Sequence, residues 1–251
     1  MFEFQDHLIF PTHAVAPAGP LPKGADRLSL TTPDGHELAG IHIPPDEPAR
    51  DRTMVLGFGG NAWNGQDVAE FLHELFPDHD TIAFHYRGYS PSTGEPSAEA
   101  LLADAPLVYD FAVGRLKPRR VIAVGFSIGS GVAAALAAQR KLDGLILVTP
   151  FDSLKAVAEA MYPWLPIGPF FDHEIDAAGA ITKVKAPVAI IAGERDEIIP
   201  PALTDALRKQ VPDLVLDRTI ARAGHNDIYG RSEFHATMRE AFEAVLKGTA
   251  R

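Results

Sequence analysis

The feature that most limits the folds open to this chain is an alternation. Short, nearly unbroken apolar runs lie at residues 53–58, 81–84, 121–126, 145–149 and 188–192. Longer segments with helical spacing lie between them, near 67–76, 97–116, 128–141 and 153–161. A strand that reads as a continuous apolar run is covered on both faces, which is the condition of a parallel strand between two layers of helices. Strand and helix in turn therefore predict one mostly parallel sheet with right-handed crossovers. Ahead of this pattern, the runs 27–32 and 37–43 flank Pro33-Asp34-Gly35 and read as a hairpin. A last strand near 214–220 and a helix near 232–247 close the chain. The expected architecture is an α/β fold with a mostly parallel eight-stranded sheet flanked by helices. At 251 residues, the whole chain, 1–251, fits a single such domain.

Two stretches stand outside the rhythm. Residues 11–24 are rich in Pro, Ala and Gly and read as an irregular arm. Residues 162–171 hold Pro163, Pro166 and Pro169 among Tyr162, Trp164, Phe170 and Phe171. That density of proline rules out a regular helix. The segment reads either as a small cap within 153–180 or as a packed surface loop.

Composition removes several function classes. A net charge of −10 repels phosphate backbones, so nucleic acid is not an expected partner. With no cysteine, disulfides, thiolate metal sites and a cysteine nucleophile are excluded. No apolar stretch approaches the ~18 residues of a membrane span, and the acidic start, Met1-Phe2-Glu3, does not resemble a signal peptide. The expectation is a cytoplasmic protein without stable membrane insertion, monomeric or homodimeric, acting on a small molecule.

The chemistry is signalled by Gly125-Phe126-Ser127-Ile128-Gly129, a G-x-S-x-G match directly after a strand-like run and before a strong helix former. That setting suits a serine on a sharp turn, because glycines at 125 and 129 carry no Cβ to clash there. A helix N-terminus behind it favours developing negative charge. Serine needs a base. Of ten histidines, His225 lies in Ala223-Gly224-His225-Asn226-Asp227, after the last predicted strand, where loops form the ligand crevice of an α/β sheet. The acid that would orient it is Asp196, just past the 188–192 run, with Asp152 as fallback. Glu194 and Glu197 beside it read as solvated neighbours. Two N–H donors are needed for the oxyanion. They are expected from the backbone at Ile128 and, in the loop Gly57-Phe58-Gly59-Gly60-Asn61-Ala62, at Asn61. Apolar substrate contacts are expected from Phe58, Trp63, Met161, Trp164 and Phe170.

The glycine loop admits a rival. Gly57-x-Gly59-x-x-Ala62 has the spacing of a dinucleotide fingerprint, but the following strand ends in His85-Tyr86-Arg87 rather than in an acid. No cofactor and no metal is therefore expected, and no H-E-x-x-H, calcium loop or P-loop occurs.

Several of these segments together resemble the Bem46-like α/β-hydrolases. They are Tyr86-Arg87-Gly88-Tyr89-Ser90-Pro91-Ser92-Thr93-Gly94-Glu95-Pro96-Ser97, the serine motif around Ser127, Gly59-Gly60-Asn61-Ala62, Asp196-Glu197-Ile198-Ile199-Pro200 and Gly224-His225-Asn226-Asp227. Gly59 stands where that family usually has histidine. The resemblance implies an α/β-hydrolase fold and a serine hydrolase acting on carboxylic ester or thioester acyl groups. Two other readings stay open: an amide or aminopeptidase-like hydrolase, with Asp152 or Asp172 as amine anchor, and a non-catalytic binding module on the same fold.

Overall fold

A computed structural model describes residues 9–47, 52–164, 171 and 173–248. The chain has the α/β-hydrolase architecture; the described residues form a mostly parallel eight-stranded sheet and seven helices. It divides into two compact units, Met1–Ile122 and Ala123–Arg251, the division falling inside the fifth strand.

In the first unit the strands are β1 (Asp26–Thr31), β2 (Glu37–Ile43), β3 (Thr53–Phe58) and β4 (Asp80–Phe84), ordered β1-β2-β4-β3. The hairpin closes as the sequence predicts. Gly35 takes φ +88°, and Thr32 and His36 pair across the turn at 2.8 Å. β2 runs antiparallel to both β1 and β4, whereas β3 lies parallel to β4. Every residue of β3 is buried, as its unbroken apolar run requires. Helix α1 (Gly65–Leu75) is capped by Asn64, whose side chain accepts from the Asp67 amide, and α2 (Ala98–Leu116) by Ser97, which accepts from the Ala100 amide. The irregular arm is fixed by side-chain amides. Asn61, Asn64 and Gln66 donate to the carbonyls of Ile9, Ala16, and Gly19 and Pro20, at 3.0–3.1 Å.

The second unit takes the order β5-β6-β7-β8, with β5 (Arg120–Phe126), β6 (Gly144–Val148), β7 (Val188–Gly193) and β8 (Leu214–Ile220). β7 pairs parallel with both β6 and β8. Its helices are α3 (Ile128–Ala137), α4 (Leu154–Met161), α5 (Ala177–Ile181), α6 (Pro201–Arg208) and α7 (Ser232–Gly248). The last helix buries Phe234, Met238, Ala241, Phe242 and Val245, a stripe at helical spacing that packs on β6, β7 and β8. Its larger apolar side chains, fully buried, contribute about 1.5–3 kcal/mol each.

Three differences from the sequence expectation are instructive. Helix α3 stops at Ala137, where the last turn tightens and the Gln139 and Arg140 amides both donate to Leu136 O, at 2.9 and 2.8 Å. Two helices were not expected: α5 has only five residues, too few for a visible period, and α6 opens directly on Pro200-Pro201, residues that also punctuate loops. In the 153–180 segment, an isolated bridge joins Ser153 to Asp176, and Leu154 N–H and Ala178 N–H donate to Ile175 and Asp152 carbonyls. The excursion is thus pinched at its neck. Of the expected cap residues, 165–170 and 172 lie outside the described part of the chain.

Candidate active site

The turn from β5 into α3 imposes an unusual backbone. Ser127 sits at φ 51°, ψ −119°, a region that costs on the order of 1–3 kcal/mol for a residue with a side chain. Neighbouring glycine permits it. A Cβ at position 125 would lie 2.3 Å from the Gly129 carbonyl oxygen and 2.6 Å from Ser130 Cα. The turn is held on both sides: Ser127 N–H donates to Val148 O at 3.0 Å, and Ser127 O accepts from the Ser130 amide (2.8 Å) and hydroxyl (2.6 Å). Ser127 is also the N-cap of α3. Serine there usually turns its hydroxyl onto the first helical amides, but this one makes no capping bond. Its Oγ lies 3.0 Å from His225 Nε2.

His225 is presented by the loop after β8. Its Nδ1 lies 2.8 Å from Asp196 Oδ2. The other carboxylate oxygen of Asp196 accepts the amides of Ile198 (3.0 Å) and Ile199 (2.7 Å). Both His225 and Asp196 are buried. A carboxylate only accepts, so Nδ1 carries the proton and Nε2 is left with its lone pair toward the Ser127 hydroxyl. Tyr229 packs behind, edge to face with Phe126 at 5.9 Å. Burial pushes its hydroxyl pKa up to about 12, with the Asp196 charge adding to the shift. It therefore stays neutral beside the acid.

The loops carrying acid and imidazole are laced together. Glu194 N–H donates to Ile220 O (3.0 Å), and Arg195 N–H to Ala223 O (2.8 Å). Going the other way, Arg222 N–H donates to Glu194 Oε2 (2.7 Å) and His225 N–H to Glu197 Oε2 (3.3 Å). Asp227 Oδ1 accepts the Gly224 amide at 2.6 Å, and Arg231 holds Asp227 in place. Glu194 and Glu197 are exposed, as a reading of solvated neighbours expects. That reading missed their carboxylates bonding the histidine loop, because a backbone acceptor role leaves no residue signature.

The other candidates are disposed as follows. Asp152 turns its carboxylate onto its neighbour Ser153 N–H at 2.8 Å, and it is Asp196 that meets the imidazole. Asp172 lies outside the described residues. His42 binds Asp80 at 2.7 Å, His235 the Tyr229 carbonyl at 2.7 Å, and His85 accepts the Gly65 amide at 3.2 Å. Ile128 is buried as the first residue of α3, where helix amides lack intrahelical partners. Asn61 stands in the turn after β3, its side chain donating to Ile9 O. Phe58 ends β3 and lines a small cavity with Leu38, Phe84, Leu101 and Val108. Trp63 lies 5.5 Å from Phe71, ring to ring. Met161 and Trp164 are exposed, Trp164 to 72%, and Phe170 is outside the described residues. Among the described residues, no group of three acidic or histidine side chains could hold a metal, and no helix is long and apolar enough to cross a membrane.

Comparison with known proteins agrees with this architecture. A family described as alpha/beta hydrolase fold matches residues 54–175. An uncharacterized protein of Mycobacterium tuberculosis is 31% identical over 250 residues, covering 96% of this chain and 88% of that one. The bem46 protein of Schizosaccharomyces pombe is 29% identical over 220 residues, covering 80% and 73%. An esterase of Pyrococcus furiosus superposes with a TM-score of 0.71 at 20% identity, covering 92% and 95%.

Proposed function

The chain belongs to the α/β-hydrolase family, and from that premise we propose that it is a serine hydrolase cleaving carboxylic ester or thioester bonds of small to medium acyl substrates. One observation carries the reading: Ser127 Oγ, His225 and Asp196 form a continuous hydrogen-bonded relay at 3.0 and 2.8 Å. A relative in zebrafish named lysophosphatidylserine lipase is 29% identical over 59% of this chain, and acyl esters are the substrate class its name implies.

In this reaction His225 Nε2 takes the Ser127 proton as Oγ attacks the carbonyl carbon. Charge moves to the carbonyl oxygen, where the Ile128 N–H at the positive end of α3 receives it. Asn61 N–H is the second donor by its place in the sequence. Asp196 stabilises the imidazolium without taking its proton. Collapse of the tetrahedral adduct expels the alcohol or thiol with the proton from His225. Water then attacks the acyl-serine, again with His225 as base, and releases the acid. The exposed Met161 and Trp164 are proposed to contact the acyl chain, Phe58, Trp63 and Phe170 serving likewise.

Labelling with a fluorophosphonate probe tests this directly. The wild-type protein should be modified at Ser127 and lose its p-nitrophenyl ester hydrolysis. Ser127→Ala should lose on the order of 10⁴–10⁶ in rate. Full activity in that variant ends the proposal. A panel of acyl lengths, run as esters, thioesters and amides, then defines the substrate.

A further inference from the structure

The loop after β3, Gly59 to Ala62, is held by its carbonyls. Gly59 O accepts from the Tyr86 hydroxyl at 2.8 Å. Gly60 O accepts from the Trp63 amide at 3.2 Å. Asn61 O accepts from the Tyr89 hydroxyl. Three consecutive peptide oxygens are thus each engaged. A trans peptide holds its N–H opposite its C=O. Fixing these oxygens therefore fixes the directions of the N–H groups of Gly60, Asn61 and Ala62. Both Gly59 and Gly60 lack a Cβ, and an unheld loop of that composition would rotate its peptide planes freely. The Asn61 side chain donates to Ile9 O, which ties its amide head to that carbonyl, and the main-chain N–H is the donor considered for a ligand.

The two tyrosines come from one turn, Tyr86-Arg87-Gly88-Tyr89. Tyr89 N–H donates to Tyr86 O at 2.9 Å, and Gly88 supplies φ +77°, the conformation such a turn needs at its third residue. Arg87, between them, is bound to Asp104 of α2 through Nε (3.1 Å) and an NH2 group (2.6 Å), and to Asp34 at 2.5 Å. The rings meet edge to face at 5.7 Å. The side chains of the turn thus divide the work between them. Arginine anchors it to α2 and to the β1–β2 turn, while the tyrosines reach the loop. Burial raises the pKa of both hydroxyls, so they remain O–H donors throughout the working pH range.

We infer that Tyr86 and Tyr89 are positioning residues: they clamp the Gly59–Gly60 and Asn61–Ala62 peptides, and so hold in place the Gly60–Asn61 peptide between them, whose oxygen the Trp63 amide engages, with the Asn61 N–H preset to bind the oxyanion. This rests on the serine-hydrolase reading and on Asn61 as a donor. Preorganisation of this kind is worth most in the transition state, where the oxygen carries charge, and little in the ground-state ester.

The test uses full-length Tyr86→Phe, Tyr89→Phe and the double variant. Active sites are counted by fluorophosphonate labelling, and kcat and KM are measured on a p-nitrophenyl ester. Affinity is measured for an alkyl trifluoromethyl ketone, which adds the serine oxygen to give a tetrahedral oxyanion. Expected are losses of about 10- to 100-fold in kcat per labelled site for each single variant, a few-hundred-fold for the pair, and KM within about threefold. Ketone affinity should fall in proportion to kcat/KM across the series. A merely structural role would lower the count of labelled sites and leave kcat per site and ketone affinity intact, and that result overturns the inference. So would a loss confined to KM. If wild-type protein is neither labelled nor active, the hydrolase reading itself fails and the inference with it. Labelled, active wild type with fully active phenylalanine variants refutes the tyrosine role alone.

Discussion

Under the serine-hydrolase mechanism proposed above, replacing Asp196 with asparagine isolates the carboxylate that orients the base. The exchange is nearly isosteric, and one oxygen can still accept the Ile198 and Ile199 amides at 3.0 and 2.7 Å. An NH2 group cannot accept those amides, so it must take the other position, 2.8 Å from His225 Nδ1. Two N–H donors cannot face each other at that distance. The imidazole is driven to carry its proton on Nε2 instead, directed at Ser127 Oγ 3.0 Å away, where it can no longer receive the serine proton. The carboxylate's stabilisation of the imidazolium is lost as well. Serine hydrolases in which this exchange was made lose about 10⁴ in kcat, equivalent to about 5.5 kcal/mol at about 1.4 kcal/mol per factor of ten. The assay is kcat on p-nitrophenyl butyrate near neutral pH, with thermal unfolding as a check that the fold is kept. The expected result is a loss of about 10⁴ in kcat with a small change in stability. A variant within about tenfold of wild type refutes the orienting role of Asp196. The same loss appearing on Asp152→Asn instead would move that role to the other carboxylate.

Two further outcomes follow from the first unit. Asp104→Ala leaves Arg87, with its side chain only 11% exposed, paired to Asp34 alone. Breaking such a pair costs about 3–5 kcal/mol, so the melting temperature should fall by roughly 6–20 °C at roughly 2–4 °C per kcal/mol; a shift under about 2 °C contradicts the assignment of Arg87 as the anchor of its turn. His85 is buried, and desolvation, with the Arg27 charge adding to it, lowers its pKa to about 4 from 6.5. The unfolded chain therefore binds the extra proton first, and stability present above about pH 6.5 is lost as pH falls toward 4. Full titration across that shift is worth about 3 kcal/mol. Urea midpoints compared at about pH 7 and pH 4.5 should show a steeper decline in wild type than in His85→Asn, and parallel declines would contradict it.

Much of the site was legible because its residues are tied to strand ends. Ser127, Asp196 and His225 each lie in the stretch that follows a strand, and apolar runs of the kind that precede Ser127 and Asp196 mark buried parallel strands whatever packs on them. The hairpin was legible from its turn residues and β3 from its unbroken apolar run. The bonds that stiffen the site were not. Glu194 and Glu197 accept backbone amides, Tyr86 and Tyr89 donate to backbone carbonyls, and Asn64 and Gln66 hold the arm through its carbonyls. In each case the partner is main chain, which every residue has, so composition and spacing carry no trace of it. Phe58 illustrates the reverse limit. An aromatic side chain at a strand end has the same pattern whether it faces a ligand or a cavity wall among Leu38 and Leu101.

The crossbars between residues 194–197 and 220–225 bear on how the rim can breathe. The aspartate and the imidazole are borne by separate stretches of chain, yet four hydrogen bonds, each using a backbone amide, bind those stretches into one splint. Thermal fluctuation must carry the two together, since separating them means rupturing several links at once. The amide hydrogen at Arg222 should accordingly exchange slowly for an exposed residue, and the spacing of Asp196 and His225 should hold while the surrounding loops fluctuate.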